Sequence, residues 1–198
     1  MKKILLIIVL FWGLIITTMA QNNTDSATFG TGCFWCSEAI FSRLKGVTGV
    51  TPGYSGGTEK NPSYELVCSG TTNYAEVIQL TFDTTIITYK ELLEVFWKTH
   101  DPTTLNRQGA DVGTQYRSVI FYHNEDQHKL AERYKKELTE AQIWEKPIVT
   151  EISPFNNFYP AEKYHRDYYK NNPGNGYCNF VITPKIEKFE KIFKSKLK

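Results

Sequence analysis

Gly32-Cys33-Phe34-Trp35-Cys36 is the stretch from which the rest of this chain is read. It follows a short apolar run, Ala27 to Gly30, that reads as a strand, and it opens a helical pattern in which Ile40, Phe41 and Leu44 recur at spacings of three and four. Cys33 therefore falls in the first turn of a helix. Free backbone N–H groups and the positive end of the macrodipole favour an anion there, so a thiol at this place is expected to ionise below its ordinary value of about 8.5. Cys33 is the candidate nucleophile. The same spacing also fits a small buried residue at a strand-to-helix turn, or half of a structural disulfide with Cys36. Phe34 and Trp35 add large apolar surface beside the thiol, the composition of a pocket wall, or equally of an ordinary core.

The strand predicted from Tyr74 to Asp83 carries the second clue. Counted by twos, Ile78, Leu80 and Phe82 share one face, Gln79, Thr81 and Asp83 share the other, and Glu76 falls on the apolar side. A carboxyl group on a core-facing row is desolvated, its pKa rises, and it can hold a proton near neutrality. The alternative is that Glu76 bends into solvent at the strand end.

Around these two stretches the chain is punctuated clearly. Val47 to Tyr54 reads as extended and ends at Ser55-Gly56-Gly57. Tyr64 to Cys68 fits a helical turn or an edge segment. Thr88 to Glu91 is a capping box that starts a helix ending at Asp101-Pro102. The stretch from Asp101 to Tyr116 has no period, and a loop of that length in a compact domain is commonly functional; it carries Asp111 and delivers Tyr116 to a strand from Arg117 to His123. A long amphipathic helix is expected from Asn124 to about Gln142, a strand from Ile148 to Ile152 and a turn from Pro154 to Pro160. Ala161 to Tyr169 reads as a helix, and Asn171 to Gly176 as a flexible segment placing Cys178 on a mobile arm. Phe180 to Ile182 reads as a strand, before a helical tail after Pro184. Helices and strands interleave without βαβ regularity or a Gly-rich phosphate loop, which makes one α+β domain, a small mixed sheet with helices on its faces.

Composition limits the partners. Lys2 and Lys3, the apolar run from Ile4 to Ile16 and the small residues around Met19-Ala20 have the layout of a secretory signal peptide, 1–20, cut after Ala20; an uncleaved anchor is the alternative, although the run is shorter than the roughly 20 residues a span needs. A polar linker, 21–26, and a single domain, 27–198, with its helical tail follow. The mature chain would hold 21 basic and 21 acidic residues and no methionine. Such neutrality gives no reason to expect nucleic acid or a membrane surface beyond export. An exported chain, periplasmic or extracellular, keeps its four cysteines in an oxidising compartment. They are too few for a scaffold, and neither they nor the four scattered histidines have zinc-ligand spacing, so no metal is expected.

The ordered set of motifs resembles one family, the A-type peptide methionine sulfoxide reductases. The match runs through Gly-Cys-Phe-Trp-Cys at 32–36, Asn-Pro-Ser-Tyr-Glu at 61–65, Val-Cys-Ser-Gly at 67–70, Tyr-Ala-Glu at 74–76 and Asp-Pro-Thr-Thr-Leu-Asn-Arg-Gln-Gly at 101–109. It continues with Gly-Thr-Gln-Tyr-Arg-Ser at 113–118, Ala-Glu-Lys-Tyr-His at 161–165 and Gly-Tyr-Cys at 176–178. The resemblance implies a two-layer sandwich with a ferredoxin-like core. It implies Cys33 as nucleophile, Glu76 as acid, Phe34 and Trp35 around the substrate's methyl group, Tyr64 and Tyr116 on the sulfoxide oxygen, and Asp111 and Tyr168 lining the pocket. It further implies a substrate of methionine-S-sulfoxide, free or in proteins, a Cys33 sulfenic acid resolved by a second thiol, and an external thioredoxin-like reductant with no bound cofactor. Cys178 is favoured as resolving thiol by its motif and Cys36 by its nearness in sequence. Where family members carry Gly at position 36 this chain carries Cys, which leaves relay through both open. Cys68 is read as a buried structural thiol. The chain is expected to act as a monomer. A thioredoxin-like disulfide oxidoreductase using Cys33 and Cys36, or a secreted binding module with that pair bridged, are the competing readings.

Overall fold

The computed structural model describes residues 23–198, so the segment read as a signal peptide lies outside the described residues. In chain order its elements are β1 (Thr24–Thr31), α1 (Phe34–Phe41), β2 (Val47–Ser55), α2 (Tyr64–Cys68), β3 (Ala75–Asp83), α3 (Tyr89–Thr99), β4 (Arg107–Gln108) and β5 (Asp111–Val112). There follow β6 (Ser118–Tyr122), α4 (Glu125–Glu140), β7 (Glu151–Pro154), β8 (Tyr159–Pro160), α5 (Tyr168–Asn171) and α6 (Thr183–Ile192). Six strands form one sheet in the order β7-β6-β1-β3-β2-β8. Only the β6–β7 pair is parallel, so the sheet is mixed. Its centre, β6-β1-β3-β2, interleaved with α1 and α3, is the βαββαβ pattern expected of a ferredoxin-like core, and helices cover its apolar face.

The core forms where the alternation of β3 predicts. Ile78, Leu80 and Phe82 are fully buried with Phe29 of β1, and the Phe29 ring meets Phe41 of α1 at 5.7 Å and Phe96 of α3 at 5.3 Å between centroids. Each ring buries on the order of 150–250 Å² of apolar surface, so these two contacts fix both helices against the sheet. The other face carries a smaller apolar cluster at one end, where Ala75, Val77, Val119 and Phe121 pack under Phe155 and Phe158. Short polar alternation in β3 gave no sign of it.

Four local expectations change. β1 begins at Thr24, inside the stretch read as linker, because Thr24 to Ser26 pair with Thr81 to Asp83 of β3. The helix expected over Ala161 to Tyr169 breaks into a 3₁₀ turn, Lys163–His165, and α5, since Asp167 takes a left-handed conformation at φ 51°. The loop from Asp101 to Tyr116 is organised by the β4–β5 hairpin and a 3₁₀ turn, Thr114–Tyr116. Cys178 is not on a mobile arm: it is fully buried and opens a π-helical turn, Cys178–Ile182, that continues into α6 and replaces the strand expected at Phe180 to Ile182.

Candidate active site

The strand-to-helix joint from β1 to α1 needs a glycine. Gly32 sits at φ +92°, and a Cβ there would fall 2.6 Å from the Gln108 side chain. Gln108 is itself buried and holds the start of the long loop, accepting from the Asp101 N–H and donating to the Asp101 carbonyl. One tight turn thus aims Cys33 and locks the loop that carries Asp111 and Tyr116 against it.

Cys33 is the N-cap of α1, and its carbonyl accepts from the Cys36 and Ser37 N–H groups at 3.1 and 3.4 Å. The first helical N–H, that of Phe34, donates at 3.1 Å to Oε2 of Glu76. Glu76 is therefore not at a solvated strand end. It is 2% exposed, and burial pushes its carboxyl up to about 8; the hydrogen bond from Phe34 works the other way, while the neighbouring Asp111 and Cys36 add to the rise.

The thiol itself differs from expectation. Burial first, then the hydrogen bond with Cys36 and the nearby Glu76, raise the Cys33 thiol well above its ordinary value. The helix start does not win because Cys33 is almost wholly enclosed, at 7% exposure, and makes no side-chain cap bond. The charge goes to its partner instead. Cys36, almost one turn further along α1, is brought down to about 7 by the hydrogen bond with Cys33 and by Lys185, against its own burial. When the pair loses a proton the negative charge falls on Cys36, with Cys33 as the hydrogen-bond donor. The spacing that left a nucleophile, a core residue and a disulfide all open is thus a pair of free, interacting thiols.

Aromatic side chains wall the site. Trp35 is half-buried and stacks on Tyr168 at 3.6 Å and 4°, with Tyr177 edge-on at 5.9 Å. Its indole N–H donates to Nδ1 of His165 at 3.0 Å, so that nitrogen carries no proton. Phe34 is only 1% exposed and lies beneath, against Tyr54 and His165. Tyr64 and Tyr116 are half-buried, and both hydroxyls are raised, first by burial and then by groups that include Glu76. Asp111 accepts from the Tyr177 hydroxyl at 2.6 Å, and that oxygen lies 4.0 Å from Sγ of Cys36. Cys178 is behind this layer; burial raises its thiol, with the charge at Cys36 as second cause. Cys68 is half-buried rather than buried and shares a hydrogen bond with Tyr64.

Four residues went unassigned in the sequence. Glu162 accepts from the Tyr54 hydroxyl and the Tyr64 N–H, at 2.8 and 2.9 Å, and so seats Tyr64. His165 joins Trp35, Phe34 and Tyr64. These two, like Tyr177, sit in motifs quoted above, and that was signal enough to include them. Lys185 lies in no motif. Among the described residues no group of three or more His, Cys, Asp or Glu side chains is placed to hold a metal.

Comparison with known proteins settles the family. The model of the family described as peptide methionine sulfoxide reductase matches residues 25–197. This chain belongs to that family. Among reductases named MsrA, the one from Saccharolobus solfataricus is 58% identical over 174 residues, covering 88% of this chain and 97% of its own length. The one from Acinetobacter baumannii is 54% identical over 174 residues, covering 88% and 99%. Among solved structures, Mxr1 of Saccharomyces cerevisiae in reduced form superposes with a TM-score of 0.72 at 37% identity, covering 79% of this chain and 90% of that one. Mxr1 in complex with Trx2 gives 0.52 at 27%, covering 74% and 85%. Membership among the A-type peptide methionine sulfoxide reductases does not favour the disulfide-oxidoreductase reading.

Proposed function

We propose that this reductase takes the oxygen from methionine-S-sulfoxide by attack of Cys33 on sulfur while Glu76 protonates the oxygen. The observation that carries the reading is the buried Glu76 carboxyl, about 8 in its ionisation, held on the N–H of the residue next to Cys33. A sulfoxide is a poor electrophile until its oxygen is protonated or strongly hydrogen-bonded, so a retained proton beside the nucleophile is the group the reaction needs. Tyr64 and Tyr116 supply hydroxyl donors to the same oxygen. Trp35 on Tyr168 forms the apolar wall for the methyl group, with Phe34 as its floor, and Asp111 orders Tyr177 at the rim.

Protons and electrons balance with the charges already in place. As Cys33 attacks, its proton passes along the existing hydrogen bond to Cys36, and the Glu76 proton goes to the sulfoxide oxygen. Methionine leaves and Cys33 keeps the oxygen as a sulfenic acid, its sulfur oxidised as the substrate's is reduced. The Cys36 sulfur then bonds to Cys33, the S–O bond breaks, and the Cys36 proton leaves with the oxygen as water. Cys36 is favoured for this step over Cys178 because it already touches Cys33, while Cys178 lies within the field of Cys36 and serves as the next partner in relay. A thioredoxin-like dithiol restores the enzyme by exchange, a reading supported by the yeast relative solved with Trx2.

Mass spectrometry after one turnover without reductant tests the scheme. Release of about one methionine per chain and a Cys33–Cys36 bridge are expected, and Cys36→Ser should stop at a Cys33 sulfenic acid trapped by dimedone. A first bridge from Cys33 to Cys178 would refute the order. Export is part of the same proposal, supported by the Lys2-Lys3, Ile4 to Ile16 and Ala20 layout. Amino-terminal sequencing of protein made in cells should begin at Gln21.

A further inference from the structure

Lys185 reaches the site from α6. Its Nζ stands 3.8 Å from Sγ of Cys36, a residue that is 3% exposed. Lys185 also lines an open cavity of about 390 Å³ with Lys98, His100 and Lys188. The other titratable groups facing Cys36 are Cys33 at the helix start, Glu76 from β3, Asp111 from the β4–β5 hairpin, and Tyr177 and Cys178 from the chain before α6. Glu76 and Asp111 would repel a thiolate when ionised. Tyr177 has one proton, and it is committed to Asp111. Lys185 is the cation that answers these acids.

We infer that Lys185 is a positioning residue whose ammonium holds the single negative charge of the Cys33–Cys36 pair on Cys36 at neutral pH. The inference rests on the proposed role of Cys36. The charge so held makes Cys36 the acceptor for the Cys33 proton in the first step. In the second, the same cation stabilises the developing thiolate that displaces the sulfenic oxygen. An opposite charge within about 4–6 Å shifts an ionisation by ~1–3 units. Without it, burial beside two acids would be opposed by hydrogen bonding alone, chiefly that with Cys33, and the ionisation of Cys36 would rise.

The test uses the full chain carrying Lys185→Met or Lys185→Arg. Thiolate is titrated by ultraviolet absorbance, and Cys36 is identified by pH-dependent alkylation and mass spectrometry. Bridge formation is then followed in a single turnover across the pH range. For Lys185→Met the ionisation of Cys36 should rise by at least ~1 unit, slowing the Cys33–Cys36 bridge roughly tenfold near neutrality. The rate should converge on that of the unmodified chain at high pH, and Lys185→Arg should restore most of it. Coincident titration curves would overturn the inference, as would a deficit of equal size at every pH that Arg does not relieve. If the unmodified chain forms no Cys33–Cys36 bridge, the resolving role fails instead, and the titration still reads Lys185 separately.

Discussion

Glu76→Gln separates the catalytic value of the buried carboxyl from its cost to stability. With ionisation at about 8, roughly nine in ten folded molecules hold the proton at pH 7, whereas an ordinary carboxyl at 4.5 would hold it in well under one in a hundred. The unfolded chain releases that proton near 4.5 and the folded chain near 8, so between those values the folded state binds more protons. Stability therefore falls as pH rises across this window, by ~5 kcal/mol when the whole shift is counted at 1.36 kcal/mol per unit. An amide does not titrate. Chemical denaturation at pH 5 and pH 8 should show the variant gaining about 3 kcal/mol on the unmodified protein between the two. The comparison of slopes removes any constant penalty from a new buried NH₂ group, of the order of 1–3 kcal/mol. The amide oxygen still accepts the Phe34 N–H, so the turn at Cys33 survives. Yet methionine release in a single turnover should drop by roughly 10²–10⁴, the usual worth of a positioned acid. In the unmodified enzyme kcat/KM should rise through about 7, as the cysteine pair loses its proton, and fall through about 8, as Glu76 does. Turnover within a few-fold of normal in Glu76→Gln, or parallel stability curves, would refute the assignment.

Three further substitutions probe the parts that hold the site. Tyr168→Ala removes the 3.6 Å stack on Trp35; with such pairs worth ~0.5–1.5 kcal/mol, KM for a methionine sulfoxide peptide should rise about two- to tenfold with kcat less affected. Gly32→Ala forces a Cβ into a left-handed turn and against Gln108, so a lower Tm is expected together with lost activity; an unchanged melting curve would contradict the described turn. Glu38 is buried, with its carboxyl pushed up to about 7 by that burial, and it accepts from the Asp167 N–H at 3.0 Å. Glu38→Ala should free the turn before Tyr168 and raise KM, with Glu38→Gln milder because its amide oxygen still accepts.

The outline of the fold was legible because its signals are local and periodic. The alternation of β3, the capping box at Thr88 and the three-four spacing of α1 each name an element that forms. Glu76 was readable for the same reason, since a period of two places a residue on a face wherever the strand begins. What failed has a common cause in contacts distant along the chain. Asp167 leaves the helical region while its N–H is held by Glu38, 129 residues away. Cys178 reads as mobile from its Gly and Pro neighbours, yet the packing of the following turn and α6 buries it. No pattern in α6 could have pointed to Cys36.

The misjudged ionisation of Cys33 shows how the site works. Sequence position supplies one local influence, the helix start, and that favours an anion. Enclosure adds a larger one, because Cys33, Cys36 and Glu76 share a space with little solvent, where a second negative charge is costly. The three groups therefore divide their protons. Glu76 keeps one, Cys33 keeps one, and the charge rests on Cys36, where Lys185 can reach it. A free thiolate at Cys33 would have raised Glu76 further and left the nucleophile exposed to any oxidant small enough to enter. Holding it as a thiol one hydrogen bond from a base postpones ionisation until a sulfoxide oxygen is present to take the Glu76 proton. As that proton leaves, the Glu76 carboxylate would repel a charge left on Cys33, and by then Cys33 has given its proton to Cys36 and its electron pair to the bond with the substrate's sulfur.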